Sequence, residues 1–143
     1  MIIPVSRETE KAWAEMCVAL WPGDSFDDWI QEGRDKDYEN EFVYIINDEA
    51  VAFLNVSLRS DYVEGTGSSP VGYLEAIYVK PGFRKQGIAR QLVEFAKKWA
   101  VEKGCTEFAS DCELTNDESR RFHSKIGFEE ANTIVCFTMD LRV

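Results

Sequence analysis

Two carboxylates and one basic loop carry the clearest chemistry in this chain. Glu75 lies in Tyr73-Leu74-Glu75-Ala76-Ile77-Tyr78-Val79, a β-branched and aromatic run that suits a strand. A carboxylate inside an apolar strand costs free energy unless it is paired. Glu75 is therefore expected to meet a cation, unless its strand is a sheet edge and the side chain is solvated. Strict alternation would put Glu75 on one face with Tyr73 and Ile77, and Leu74 on the other. Asp111 follows the next apolar run, Phe108-Ala109-Ser110. Strand C-termini are where α/β sheets place ligands, and turn-starting aspartates are also common there. From neighbouring strands, Glu75 and Asp111 can hold one ammonium together, and one of them can accept its proton, directly or through water.

The strand around Glu75 stops at Pro81-Gly82 and passes into Arg84-Lys85-Gln86-Gly87-Ile88-Ala89-Arg90, after which an apolar helical pattern begins. The first amides of a helix have no intrahelical acceptor, and the dipole makes that end positive. Such a loop can cradle a phosphate, and Gly87 lets it approach the backbone closely. An ordinary strand–turn–helix connection has the same local form. Neither the Walker pattern nor the Gly-x-Gly-x-x-Gly dinucleotide pattern is present. No covalent nucleophile stands out, since Cys112 has no basic flank to lower its pKa. Cys17, Cys105, Cys112 and Cys136 lack ligand spacing and are expected to be buried thiols, with no disulfide and no metal site.

These residues need positioning elements. Met1 to Val5 reads as a first short strand. Arg7 to Leu20 reads as a helix capped by Ser6, with Trp13, Met16, Cys17 and Leu20 on one face. Trp21-Pro22-Gly23 breaks it, and a second helix is expected from Ser25 to Asp37. Phe42–Ile46 and Ala50–Leu58 form an antiparallel hairpin about Asn47-Asp48-Glu49. Arg59 to Pro70 is a long loop, which usually serves function. Then come the strand Gly72–Val79, a helix from Gly87 to about Lys103, the strand Thr106–Ser110, a helix from Asn116 to Lys125, and a final strand Thr133–Leu141. The pattern is mixed α/β: one domain, residues 1–143, with helices flanking a central mixed sheet.

Sixteen basic against twenty-six acidic side chains give a net charge of −10. That argues against a nucleic-acid partner, because phosphate backbones need a basic surface. It suits a cationic substrate, and equally suits plain solubility. No apolar run has membrane-span length and no signal-peptide pattern opens the chain, so the expectation is a cytoplasmic protein with no membrane partner.

Arg84, Gly87 and Ala89 resemble the Arg-x-x-Gly-x-Gly/Ala signature of the GNAT N-acetyltransferase superfamily. The order of elements is similar to the GNAT fold. Short matches in order along the chain resemble the aminoglycoside 6′-N-acetyltransferases: Leu20-Trp21-Pro22-Gly23, Asp61-Tyr62-Val63, Ser68-Ser69-Pro70-Val71, Leu74-Glu75, Lys103-Gly104-Cys105, Ala109-Ser110-Asp111, Asn116, His123 and Gly127-Phe128-Glu129-Glu130.

The resemblance implies an acetyl-CoA-dependent transfer to the 6′-amine of aminoglycosides in a ternary complex. It implies that Arg84, Lys85, Gln86, Gly87, Ile88, Ala89 and Arg90 hold the pyrophosphate, and that the backbone of Ile77, Tyr78 and Val79 takes the pantetheine arm at a splay in the sheet. The Ile77 N–H would then polarise the acetyl carbonyl. Asn116 matches a cofactor-contacting asparagine and also suits a helix N-cap. Trp21 and Tyr62 match substrate-contacting aromatics, though Trp21 also reads as core. His123, the only histidine, stands where most of the superfamily carry the tyrosine that reprotonates the thiolate. A homodimer is implied, in which relatives present a glutamate to the drug at the position of Asn132. Asn132 lacks that charge, and Glu129 or Glu130 are the available substitutes. The competing readings are acetylation of another polyamine or protein amine, and a non-catalytic acetyl-CoA-binding module.

Overall fold

The computed structural model describes all 143 residues. The strands are β1 (Ile2–Pro4), β2 (Glu41–Ile46), β3 (Glu49–Arg59), β4 (Val71–Val79) and β5 (Phe108–Ser110). The helices are α1 (Glu10–Leu20), α2 (Phe26–Asp35), α3 (Ile88–Glu102) and α4 (Asp117–Ile126), with one 3-10 turn at Pro81–Phe83. They form one sheet in the order β1-β2-β3-β4-β5. The first four strands are antiparallel neighbours, and β5 joins β4 in parallel after the α3 crossover. The β2–β3 hairpin turns on Asn47 and Asp48, both at positive φ, which matches the twist of the flanking strands.

The sheet buries both faces. Trp13, Met16 and Cys17 of α1 pack with Val43, Phe53 and Ala76 on one side, joined by Phe26, Trp29 and Ile30 of α2. Ile88, Leu92, Val93 and Ala96 of α3 cover Leu54, Val56, Leu74 and Val79 on the other, joined by Phe122 and Ile126 of α4. The α2 and α4 caps fall where short polar residues permit them. Ser25 accepts from Asp28 N at 3.1 Å, and Asn116 accepts from Ser119 N at 3.0 Å. Helix α1 departs from expectation: Thr9 is its N-cap, and Ser6 instead opens a turn by accepting Thr9 N on its carbonyl at 3.1 Å.

A part-buried ion pair fixes α1 against α2. Glu10 is 5% exposed and accepts from Arg34 Nη2 at 2.7 Å, Arg34 Nε at 3.2 Å and the Tyr38 hydroxyl. The hydrogen bonds from Arg34, then from Tyr38, hold its carboxyl down at about 2. A depressed carboxylate pKa stabilises the fold above the unfolded value of 4.5, and the contribution is lost as pH falls towards the folded one. Glu10→Gln is therefore expected to lower Tm at pH 7, and the gap to wild type is expected to close progressively below pH 4.5. Thermal melts across that range check this. A gap constant with pH would contradict it.

Two further expectations fail. Residues 128–143 form no strand: the segment pairs with no other strand, and Ile134, Val135, Phe137, Met139 and Leu141 are all exposed, Phe137 at 88%. Alternation shows that a segment suits a sheet, but no strand of this chain receives it. The cysteines also divide: Cys17 and Cys105 are buried, whereas Cys112, after β5, and Cys136, in the unpaired segment, are exposed. No helix is long and apolar enough to cross a membrane.

Candidate active site

Glu75 is displayed by a defect in the sheet. Asn55 of β3 pairs with Ala76 and Val56 pairs with Leu74, which leaves Glu75 as an extra residue on β4. A bulge of this kind breaks the alternation and re-aims a side chain. Leu74 and Ile77 pack towards α3, while Ala76 packs towards α1. Glu75 opens into the α1-side cleft with Ala76. It therefore keeps company with Tyr73 but does not share a face with Ile77, because the bulge lies between them. The side chain is 27% exposed and fully engaged. Arg59 donates to Oε1 from Nε at 2.9 Å and from Nη2 at 2.7 Å, and Nη2 also reaches Oε2 at 2.9 Å. Ser57 Oγ adds a bond to Oε1 at 2.8 Å.

Asp111 joins the same network from β5. The Arg59 guanidinium lies 3.4 Å above the Tyr73 ring, and the Tyr73 hydroxyl donates to Asp111 Oδ2. Burial first, and then this bond to a carboxylate, push the Tyr73 phenol well above its ordinary value, so it stays a donor. Strands β4 and β5 pair only from Gly72/Phe108 to Leu74/Ser110. Beyond that last pair they part, and the next residue of each strand is a carboxylate, Glu75 and Asp111. The expected pair of acids thus stands at the mouth of a gap in the sheet.

His123 faces this mouth from α4. Its Nδ1 lies 2.7 Å from the Ser119 carbonyl, which can only accept, so Nδ1 carries a hydrogen. Nε2 lies 2.8 Å from Ser110 Oγ, which is also 3.3 Å from the Leu74 carbonyl. A proton on Nε2 therefore has a hydroxyl through which to pass.

The gap exposes one edge of β4. Lys80 N donates to Val51 O at 2.9 Å in the register that also pairs Phe53 with Tyr78 and Leu54 with Ile77. Bonded and non-bonded pairs alternate in an antiparallel ladder, so Tyr78 turns its backbone to β3 while Ile77 and Val79 turn theirs to the open side. Of the three residues expected to grip a ligand arm, Tyr78 does not offer its backbone. The Val79 carbonyl is taken by Arg84 Nε at 2.8 Å. Both polar groups of Ile77 and the Val79 N–H remain. Further along, no amide from Lys85 to Arg90 has a protein acceptor. Lys85 and Gly87 have φ of +62° and +82°, and a Cβ on Gly87 would meet nothing within 4 Å. Six amides around an open space are the donor set a pyrophosphate needs. Of the side chains, Arg90 reaches only the Lys125 carbonyl at 3.5 Å, while Lys85 and Gln86 are exposed, Ile88 is buried in the core and Ala89 packs against it. Asn116 uses its oxygen as the cap of α4, leaving its amide nitrogen free.

On the other side of Glu75 lies a cleft of about 210 Å³. Trp21, 37% exposed, stacks on Trp29 at 5.0 Å and leans on Phe53, so it lines the cleft instead of filling the core. The Trp29 indole N–H is buried there without a partner. Glu41 closes the floor, bonded to Lys36 Nζ and Asn55 Nδ2 at 2.7 Å each and to Trp13 Nε1 at 3.2 Å. Burial raises its carboxyl pKa against the pull of Lys36. Tyr62 stands 77% exposed in the loop 60–70 and bonds Glu64, which also accepts from Asn132 Nδ2 at 2.6 Å. Neither Tyr62 nor Asn132 lines the cleft. Glu130 is held by Arg120 at 2.8 Å. Sequence reasoning missed Arg59, Ser57, Tyr73 and Trp29. Of these, Tyr73 left a signal as a face-mate of Glu75, and Arg59 as a cation two residues from Ser57 on the hairpin strand beside Glu75.

A mixed sheet that splays beside a bulged strand, with a donor-rich strand–turn–helix loop, offers the parts that an acyl-CoA-type transferase needs. The Acetyltransferase (GNAT) family matches residues 7–128, and the chain belongs to it. It is 39% identical to an aminoglycoside N(6′)-acetyltransferase type 1 of Acinetobacter haemolyticus over 96% of both chains, and 38% identical to that of Serratia marcescens over 99% of both. Among solved structures it is similar to the aminoglycoside 6′-N-acetyltransferase AAC(6′)-IG from Acinetobacter haemolyticus, with TM-score 0.92 and 38% identity over 99% of each chain. It is also similar to AAC(6′)-Iy in complex with a bisubstrate analogue, CoA-S-monomethyl-acetylneamine, with TM-score 0.90 and 33% identity over 98% of this chain and 97% of that one.

Proposed function

We propose that this protein transfers acetyl from acetyl-CoA to the 6′-amine of aminoglycosides, by direct attack in a ternary complex. The observation that carries this reading is the parting of β4 and β5 at Leu74/Ser110. It sets two carboxylates beside an unpaired strand edge that leads to an amide cradle. The relatives named for this reaction support the choice of substrate.

Acetyl-CoA, when bound, supplies a thioester. The substrate nitrogen forms a C–N bond to its carbonyl carbon and the C–S bond breaks. The chain's part is electrostatic and positional. Amides Lys85 to Arg90 hold the pyrophosphate, and Ile77 and Val79 align the pantetheine arm. The Ile77 N–H donates to the oxygen that gains negative charge. Glu75 and Asp111 hold the amine, and Asp111, the carboxylate free of an arginine, takes the proton it releases. His123 returns a proton to the thiolate through Ser110 or water. Trp21 and Trp29 offer an aromatic wall to a sugar ring. Residence in the cytoplasm is part of the same proposal.

A panel comparing an aminoglycoside, a linear polyamine and a lysine peptide, scored as kcat/KM in an acetyl-CoA-dependent thiol-release assay, tests the substrate class. Highest kcat/KM on the aminoglycoside is expected. Preference for another amine would keep the chemistry and replace the substrate, and no thiol release on any would leave a binding module.

The chain is also proposed to act as a homodimer. Residues 133–141 leave five large apolar side chains in water in a single copy, and β5 is paired on one side only. A second copy covers both. Sedimentation at micromolar concentration is expected to give about twice the 16.4 kDa chain mass. A clean monomer would contradict it.

A further inference from the structure

The ion pair at the mouth of the gap needs an explanation. A carboxylate reserved for a substrate ammonium is already held by a guanidinium through both oxygens. Arg59 is not anchored elsewhere in the site: its other contact is the Tyr73 ring at 3.4 Å. That ring carries the hydroxyl bonded to Asp111, so one cation spans the two acids. The mouth holds Glu75, Asp111 and Arg59, one negative charge in excess. The remaining titratable groups around the cleft are Cys17 of α1, Glu32 of α2, Lys36 just after α2, and Glu41 of β2. Tyr62 and Glu64 lie on the adjoining loop, and His123 approaches through Ser110. Lys36 is spent on Glu41, so Arg59 is the one cation at the carboxylates.

We propose that Arg59 sets the protonation state of the bound amine. Two bare carboxylates would grip an ammonium tightly and stabilise the form that cannot attack, because opposite charges raise an amine's pKa. A fixed guanidinium beside them lowers the affinity for ammonium and lowers the pKa of the bound amine. It thereby exchanges ground-state binding for a larger fraction of the neutral nucleophile. Arg59 is thus a positioning residue for Glu75 that also acts on the substrate's proton through the field.

This rests on the amine site proposed above. The test uses two uncharged variants, Arg59→Gln and Arg59→Met, the second keeping an unbranched stem against Tyr73, with Arg59→Lys as the charge-preserving control. Kd for an aminoglycoside is measured by calorimetry on the CoA complex, and kcat is followed from pH 5.5 to 9. Both uncharged variants are expected to bind the drug several-fold more tightly, to lose about 10-fold in kcat at pH 7, and to have the acid limb of kcat displaced upward by about one pH unit, so that activity returns at high pH. Arg59→Lys is expected to restore the wild-type profile. Weaker binding with a kcat loss independent of pH would overturn the proposal and leave Arg59 as a scaffold for Glu75. An unchanged enzyme would overturn it too. Failure of the amine site itself is read separately, since Glu75→Gln and Asp111→Asn would then both keep wild-type kcat/KM.

Discussion

Glu75→Gln is expected to lower kcat/KM for a 6′-amine aminoglycoside by roughly 10- to 1000-fold, with KM for acetyl-CoA nearly level. The amide keeps the shape of the side chain and its bulged backbone, and it removes the charge. Two effects then add. The amine loses a counter-ion at the point of attack, and Arg59 loses the partner that holds it through both oxygens. Asp111→Asn is expected to lose at least as much, because Asn can still accept from the Tyr73 hydroxyl but neither pairs with the amine nor takes its proton. The acids are coupled through Arg59 and Tyr73, so the double variant is expected to lose less than the product of the two single losses. Initial rates over a matrix of both substrates measure all of this. Independent, fully multiplicative losses would separate the two acids.

The second large effect is expected at Gly87. Gly87→Glu puts a carboxylate at the centre of six unpaired amides, where the pyrophosphate is proposed to lie. A residue with a Cβ is also disfavoured at φ +82°. Charge repulsion in a donor cradle is expected to weaken coenzyme A binding by roughly 10- to 100-fold. The Cβ meets no neighbour, so the fold persists and Tm falls only slightly. Calorimetry with coenzyme A on the folded variant decides it. Unchanged affinity would remove the loop from the cofactor site.

Much of this was legible in the sequence. The long apolar periodicity of α3 and the Pro81-Gly82 stop after β4 placed the strand–turn–helix loop to within a residue. The two acids that the structure brings together stood out because a charge in an apolar strand and an aspartate at a strand end are conspicuous. What sequence could not show depended on register. A bulge is one residue of misalignment between partners, so neither the facing of Glu75 nor the open backbone of Ile77 follows from alternation along one strand. Arg59 looked like the start of a loop because its partner sits sixteen positions away on the neighbouring strand. The segment 133–141 showed a strand pattern, which reports a need for burial and not the surface that meets it.

Transfer to the 6′-amine is tested most sharply by pairing an aminoglycoside bearing a 6′-amine with its congener bearing a 6′-hydroxyl, each incubated with the enzyme and acetyl-CoA. Thiol release is followed and the product is mapped by mass spectrometry. One acetyl group per molecule is expected, on the 6′-nitrogen of the first drug, with no turnover of the second. Equal turnover of both drugs, or acetyl found on another nitrogen, would contradict it.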